Sequence, residues 1–482
     1  MTEPGLRPDA LPDREQVPAT RDPGTRHAPP AGGDVATARI DSLDYEGNGV
    51  ARVAGKAVFI EGAVPGDEVR FRYYNKKRSY DTGGVLDVIS PSADRVVPRC
   101  PHFGVCGGCS LQHVQPGAQL RHKQQVLSDC LQRIGKVVPD AWLPPLDGPV
   151  WAYRRKARLG VRLVPKKGGI LVGFRERRRT FITPLESCAV LDPAVSALLV
   201  PLRALIATLS CSGRLPQVEV AVGDTQQDAP ALALVFRHLE PLDDHDLRAL
   251  RRFGEAHGAQ IFLQPAGPDS VARLWPDTGT LVYRLPEHGV ELHFGPTDFV
   301  QVNAAVNRML VGRALELLDP GPQDSVLDLF CGLGNFTLPL ARRAGRVLGV
   351  EGDAALVERA RANALHNAIA NAQFLAADLY AVDGSAPWGE ERFGKWLLDP
   401  PRTGAMAAIK RLPADGSGPE RIMYVSCNPG TLARDSEVLV HVKGYRLAAA
   451  GVLDMFPHTS HVESLALFEA STSCGQREVS QC

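Results

Sequence analysis

The sequence predicts an α/β protein whose main body is a doubly wound parallel sheet, preceded by a small antiparallel β-barrel and a central α+β region. Three observations carry this reading. Residues 35–92 hold short β-branched runs separated by GNG, AGK, PGD and TGG, the punctuation of tight turns between short strands. Residues 93–290 open with a cysteine cluster, continue with a helical stretch from Ala118 to Ile134, and then show strands such as LALVFRHL and QIFLQP. From about Glu291 to residue 470, strand-type apolar runs alternate with amphipathic helical ones, a pattern that folds as a parallel sheet covered on both faces.

A chain of 482 residues is longer than one hydrophobic core normally serves, so several domains are expected. Residues 1–34 are dominated by Pro, Gly, Asp and Arg and cannot bury enough surface to offset ordering, which predicts a disordered tail. That tail has no apolar stretch of the kind a secretory signal needs. Nor does any run reach the roughly eighteen apolar residues of a membrane-spanning helix. Residues 471–482 read as a frayed end, which makes Cys474 and Cys482 incidental. A cytoplasmic protein is expected, with no membrane association and no obligate protein partner.

The net charge is zero, but the charges are segregated. Arg154, Arg155, Lys156, Arg158, Arg162, Lys166, Lys167, Arg175, Arg177, Arg178 and Arg179 are opposed only by Glu176. Lys76, Lys77 and Arg78 form a second basic run beside Tyr73, Tyr74 and Tyr80. Solvated surface strands would explain either cluster alone. Two clusters interleaved with aromatics point to nucleic acid, because phosphate neutralisation needs local positive density and not a positive total.

The C-terminal region carries the chemistry. DSVLDLF reads as a strand, followed by CGLGNF and then by a helix, an arrangement that lets backbone approach a ligand at the carboxyl edge of a sheet. The second strand ends in Glu351, the third runs to Asp378 and the fourth to Asp399. The dinucleotide pattern GxGxxG is not completed, because position 337 is Thr. Acids after successive strands, with glycines after the first, suit a class I (Rossmann-like) methyltransferase and S-adenosylmethionine better than a nicotinamide cofactor.

After a fifth strand, RIMYV, the segment SCNPGTLARD places Cys427 at the same edge. A rigid Asn428-Pro429 turn would present it, and a helix starting at Thr431 would favour its thiolate. A thiol has a specific use there. Carbon 5 of uracil is a poor nucleophile, and addition of a thiolate to carbon 6 raises its electron density. A general base must then remove the carbon 5 proton before the thiol can leave. Glu463, His458 and His461 are the candidates for that base.

The strings FVQVN, DLFCGLGNF, LLDPPR, YVSCNPGTLARD and DMFPHTSHVES, in this order, resemble the bacterial uridine-C5 RNA methyltransferases. The resemblance implies Cys427 as nucleophile and Glu463 as base. It also implies that Gln301, Phe330, Asn335, Glu351, Asp378 and Asp399 line the S-adenosylmethionine site, with Asp399 also facing the uracil edge. Residues 35–92 resemble a TRAM domain, an OB-like barrel that binds RNA. Within the family, a TRAM domain together with a cysteine cluster is similar to the branch acting on 23S ribosomal RNA; the transfer-RNA relative lacks both.

The cysteines follow the pattern Cys100-x5-Cys106-x2-Cys109, with Cys188 far downstream. Spacing alone separates zinc from an iron–sulfur cluster poorly. The resemblance implies a [4Fe–4S] cluster on these four, with Cys130 and Cys211 the competing fourth ligands. Two other functions compete with the ribosomal reading: a transfer-RNA uridine methyltransferase, and a non-catalytic RNA-binding or assembly factor. The second has no need of both Cys427 and Glu463.

Overall fold

The computed structural model describes residues 33–224, 231–381, 388 and 391–471, so the two expected tails lie almost wholly outside the described residues. Two compact units are present, one ending at Pro98 and the other running on from Arg99.

The first unit is a six-stranded sheet made of Val35–Arg39, Ser42–Leu43, Gly49–Val53, Lys56–Glu61, Glu68–Lys76 and Tyr80–Ser90. Neighbouring strands are antiparallel except for Lys56–Glu61 beside Tyr80–Ser90. Register irregularities along the longest pair curve the sheet around a core of Ile40, Ala51, Val58, Ile60, Val69 and Phe71. The expected aromatic and basic residues fall on two adjacent strands and the short connection between them. Lys76 lies 4.6 Å from the ring centroid of Tyr73, and Lys77 lies 5.0 Å from that of Tyr80.

In the second unit, six strands form one sheet in the order Ala272–Trp275, Ala259–Gln264, Ala231–Arg237, Gln217–Gly223, Lys156–Val164 and Gly169–Gly173. Its parallel pair, Ala231–Arg237 and Ala259–Gln264, is joined by the helix Asp244–His257. Asp243 caps that helix at its start, and Gly258 ends it at φ +59°, a left-handed conformation that glycine adopts without steric penalty.

An eight-stranded sheet forms the C-terminal body. Its order is Ala372–Ala376, Arg346–Glu351, Ser325–Leu329, Lys395–Leu398, Arg421–Ser426, Glu463–Ala470, Tyr445–Leu453 and Ala141–Trp142. The first five strands are parallel, and Glu463–Ala470 runs antiparallel to both of its neighbours. Chain order reverses between Ser325–Leu329 and Lys395–Leu398, and ligands bind at such a switch point in open α/β sheets.

One segment departs from the expected division of the chain. The helix expected at Ala118–Ile134 is an α-helix over Pro116–Cys130 continued by a π-helical turn to Gly135. Its apolar face, Leu127 and Leu131, packs with Tyr424, Leu432 and Leu447 of the C-terminal sheet and its helix, not with the central sheet. Ala141–Trp142 then pairs with Tyr445–Leu453. The region between the cysteine cluster and the first basic strand is therefore built into the C-terminal core.

Candidate active site

Strand polarity assembles the site. The parallel strands deliver Phe330, Glu351, Asp378 and Asp399 to one edge, at their last residues or within two positions after them. Cys427 follows Arg421–Ser426 at that edge. Glu463 arrives differently, as the first residue of an antiparallel strand. Ser426 pairs with Ser464, so the next position on each strand brings Cys427 and Glu463 beside one another. All eight expected site residues, Gln301, Phe330, Asn335, Glu351, Asp378, Asp399, Cys427 and Glu463, line one cleft of about 580 Å³. That is within the size range of small-molecule sites.

The glycine loop fits a nucleoside cofactor. Glu351 accepts backbone N–H groups from Gly332 at 3.1 Å, Gly352 at 2.7 Å and Asp353 at 3.1 Å, which fixes its carboxylate at the loop. Gly332 has φ +54°, and nothing lies within 4 Å of where a Cβ would stand, so a ligand can approach the backbone. Phe330 is also left-handed, at φ +67°, and its ring lies 5.8 Å from that of Tyr380. Asn335 is held by partners that the sequence did not disclose. Its Oδ1 accepts from Tyr283 Oη at 2.8 Å and from Asn307 Nδ2 at 2.9 Å, and its Nδ2 donates to Asn307 Oδ1 at 3.1 Å.

The helix after Cys427 begins at Pro429, two residues before the expected start. Asn428 is its N-cap, its side chain accepting from Gly430 N at 3.0 Å. The expected thiolate does not follow. Burial, with the carboxyls of Glu463 and Asp399 adding to it, pushes the Cys427 thiol up to about 11, while Arg402 opposes the shift. Desolvation and the two neighbouring carboxyls outweigh the helix end. Burial likewise holds the carboxyl of Asp399 well above the usual carboxylate range, and it raises that of Glu463.

The three candidate bases separate cleanly. His458 is buried outside the cleft, with its ring stacked 3.8 Å from that of Trp151. Gln119 accepts from its backbone N–H at 2.8 Å, and burial lowers its imidazole to about 4. Its carbonyl accepts from Ser110 and Leu111, so it ties the cysteine segment to the catalytic loop. His461 and Glu463 both line the cleft, with His461 Nε2 and Glu463 Oε1 2.9 Å apart. The loop is braced from below by Lys123, which donates to Asp454 Oδ1 at 2.7 Å and to the Phe456 carbonyl at 3.0 Å. Gln119, Lys123, Tyr283, Asn307 and Arg402, which contact the site residues or their loop, were not singled out by motif reading. Their signal is three-dimensional, because their partners lie far along the chain.

Cys100, Cys106, Cys109 and Cys188 carry free thiols. Burial pushes Cys100, Cys106 and Cys109 up, and Cys188 adds to the push on each, which places the four in one electrostatic neighbourhood. Cys130, at the edge of the C-terminal core, and Cys211, which shares the central core with Cys106, are not among the neighbours acting on these thiols. The cysteine segment is stapled to the basic loop. Gly107 N donates to the Arg175 carbonyl at 2.9 Å and Arg177 N to the Val105 carbonyl at 2.8 Å. Arg154, Arg158, Arg162, Arg175, Arg177 and Arg178 line a groove of about 980 Å³, where Glu176 is the only acidic residue. The expected basic stretch is not uniform, however: Arg155 pairs with Asp224, and Lys156 donates to the Asp298 carbonyl.

Comparison with known proteins agrees with this geometry. Residues 232–383 and 388–471 match the tRNA (Uracil-5-)-methyltransferase family. Residues 32–72 match the TRAM domain, although the strands of that unit continue to Ser90. A Thiobacillus denitrificans protein named 23S rRNA (uracil(1939)-C(5))-methyltransferase RlmD is 53% identical, over 89% of this chain and 98% of its own. The Azoarcus sp. protein of the same name is 53% identical, over 90% of this chain and 99% of its own. Among solved structures, Pyrococcus abyssi tRNA (uracil-54, C5)-methyltransferase in complex with S-adenosyl-L-homocysteine shares the fold. Its TM-score is 0.67 at 24% identity, covering 90% of this chain and 100% of that one. The chain belongs to the RlmD branch of the uracil-C5 RNA methyltransferase family.

Proposed function

We propose that this protein methylates carbon 5 of a uridine in 23S ribosomal RNA, using S-adenosylmethionine as donor and Cys427 as covalent nucleophile. The observation that carries the reading is the pairing that sets Cys427 beside Glu463 in the cofactor cleft. Cys427 Sγ adds to carbon 6, and the electron pair of the C5=C6 bond moves into an enolate. Asp399, whose carboxyl burial holds well above the usual carboxylate range, lines the same cleft and faces the uracil edge where that charge develops. Carbon 5 takes the methyl group of S-adenosylmethionine as the S–CH3 bond breaks and its electron pair stays on the departing thioether sulfur. Glu463 then removes the carbon 5 proton, the C5=C6 bond re-forms and the bond from Sγ to carbon 6 breaks.

Residues 35–92 and the arginine groove bind RNA in this reading, and residues 291–470 carry out the transfer. A flipped uracil must be unstacked at a cost of a few kcal/mol, which phosphate contacts at basic surfaces offset. The four-cysteine site suits a [4Fe–4S] cluster better than zinc. Zinc–sulfur bonds of about 2.3 Å require a sulfur tetrahedron with edges of about 3.8 Å. Among the described residues no three of these sulfurs lie within 4.8 Å of one another. Such a cluster would cross-link the loop that carries the arginines. Nucleoside mass spectrometry of ribosomal and transfer RNA from a deletion strain tests the assignment. Ribosomal RNA should lose 5-methyluridine; loss from transfer RNA alone would refute it.

A further inference from the structure

We propose that Arg402 and His461 form a positioning pair that aims the catalytic carboxylate of Glu463 and opposes its protonation, with Arg402 fixing the tautomer of His461. The inference rests on Glu463 being the base.

The geometry leaves little freedom. Arg402 Nη2 stands 3.3 Å from His461 Nδ1, and His461 Nε2 stands 2.9 Å from Glu463 Oε1. A guanidinium has only donors, so the ring nitrogen facing it must accept. A neutral His461 accepting at Nδ1 carries its proton on Nε2, and that N–H points at Glu463. The ring is held in this orientation by an edge-to-face contact with Phe456, whose centroid is 4.6 Å away at 80°. The Phe456 carbonyl is in turn fixed by Lys123. His461 is therefore a donor to the carboxylate, and Nε2 has no vacancy to take the substrate's proton.

The pair answers a specific difficulty. Glu463 sits in a pocket where burial favours its neutral form, and Cys427 and Asp399 face it across the same cleft. A neutral carboxyl cannot remove the carbon 5 proton. The influences that favour the ionised form are the His461 hydrogen bond and, through charge, His461, Lys123 beneath the loop and Arg402. Lys123 is committed to Asp454 and to a backbone carbonyl. His461 supplies the only directional hydrogen bond to Glu463 among them.

The step itself is balanced. Glu463 Oε takes the proton from carbon 5, the C–H electron pair becomes the C5=C6 bond, and the pair of the S–C6 bond leaves with Sγ. His461 changes neither its protonation nor its partners, which makes it a positioning residue and not a second base.

The test separates elimination from the steps before it. With full-length protein and target RNA, formation of the methylated covalent adduct is measured on RNA carrying 5-fluorouridine, and the pH profile of turnover on ordinary RNA. His461→Ala should form the trapped adduct like wild type. Its acid limb of turnover should move to higher pH by roughly one unit, with rates converging at alkaline pH. His461→Gln, which keeps an N–H near the Nε2 position, should restore most of the wild-type profile, and Arg402→Ala should shift it part of the way. An unmoved acid limb in His461→Ala, or equal loss of adduct and turnover at every pH, would overturn the proposal. Failure of wild type to form any adduct would instead overturn the mechanism on which it rests.

Discussion

Lys123 Nζ stands 2.7 Å from Asp454 Oδ1, and both side chains are shut away from solvent. One ion pair thus joins the helix after the cysteine cluster to the residue that opens the catalytic loop. Paired buried charges are costly to separate, because the survivor keeps its desolvation penalty without its partner. Lys123→Met should destabilise the protein by about 3–5 kcal/mol, read as a lower urea midpoint. Lys123→Met combined with Asp454→Leu should recover most of that loss. A single variant as stable as wild type would show that the pair does not brace the loop.

The thiol of Cys427 is raised by burial first and by the Glu463 and Asp399 carboxyls second. Removing a negative neighbour favours the thiolate, so Glu463→Gln should lower the Cys427 value from about 11. Alkylation at Cys427, followed by peptide mass spectrometry between pH 7 and 10, should show its half-point at lower pH in the variant. A half-point at the same or higher pH would mean that Glu463 does not act on the thiol.

The cysteine site should hold one iron–sulfur cluster. Anaerobically purified protein should be brown and carry about four irons per chain. Cys130→Ser and Cys211→Ser should leave the metal in place, since neither thiol is among the neighbours that act on Cys100, Cys106 and Cys109. Colourless protein with stoichiometric zinc would contradict the assignment.

Neutralising Arg175, Arg177 and Arg178 in the groove should weaken RNA binding and lower its salt slope by roughly one for each phosphate left without its cation. S-adenosylmethionine affinity should not change. An unchanged slope in filter binding across a salt series would make these arginines ordinary solvated surface.

Much of this site was legible because strand direction is. Once Arg346–Glu351, Ala372–Ala376 and Lys395–Leu398 are read as parallel strands, the acids at or just after their ends must share an edge, whatever the loops do. Cys427 was placed by the same rule. The environment of the thiol was not legible, since helix-end stabilisation can be guessed from a motif, whereas burial and two opposing carboxyls depend on the packed pocket. Lys123 was not singled out in the sequence, because its partner lies 331 positions away. His458 and His461 looked equivalent in sequence. Only the turn between them, with His458 at φ +64°, sends one ring beneath the loop against Trp151 and the other into the cleft.

The central claim is that Cys427 bonds to the uracil it methylates, and trapping that bond tests it most directly. Target RNA carrying 5-fluorouridine should convert wild type, in the presence of S-adenosylmethionine, to a stable adduct, because fluorine cannot leave as a proton does. Peptide mass spectrometry should place the nucleotide on Cys427, with a methyl group added. Cys427→Ala should bind the donor normally and form no adduct, and Glu463→Gln should stall in the same covalent state on ordinary uridine RNA. Full turnover by Cys427→Ala, or an adduct on another residue, would contradict the account.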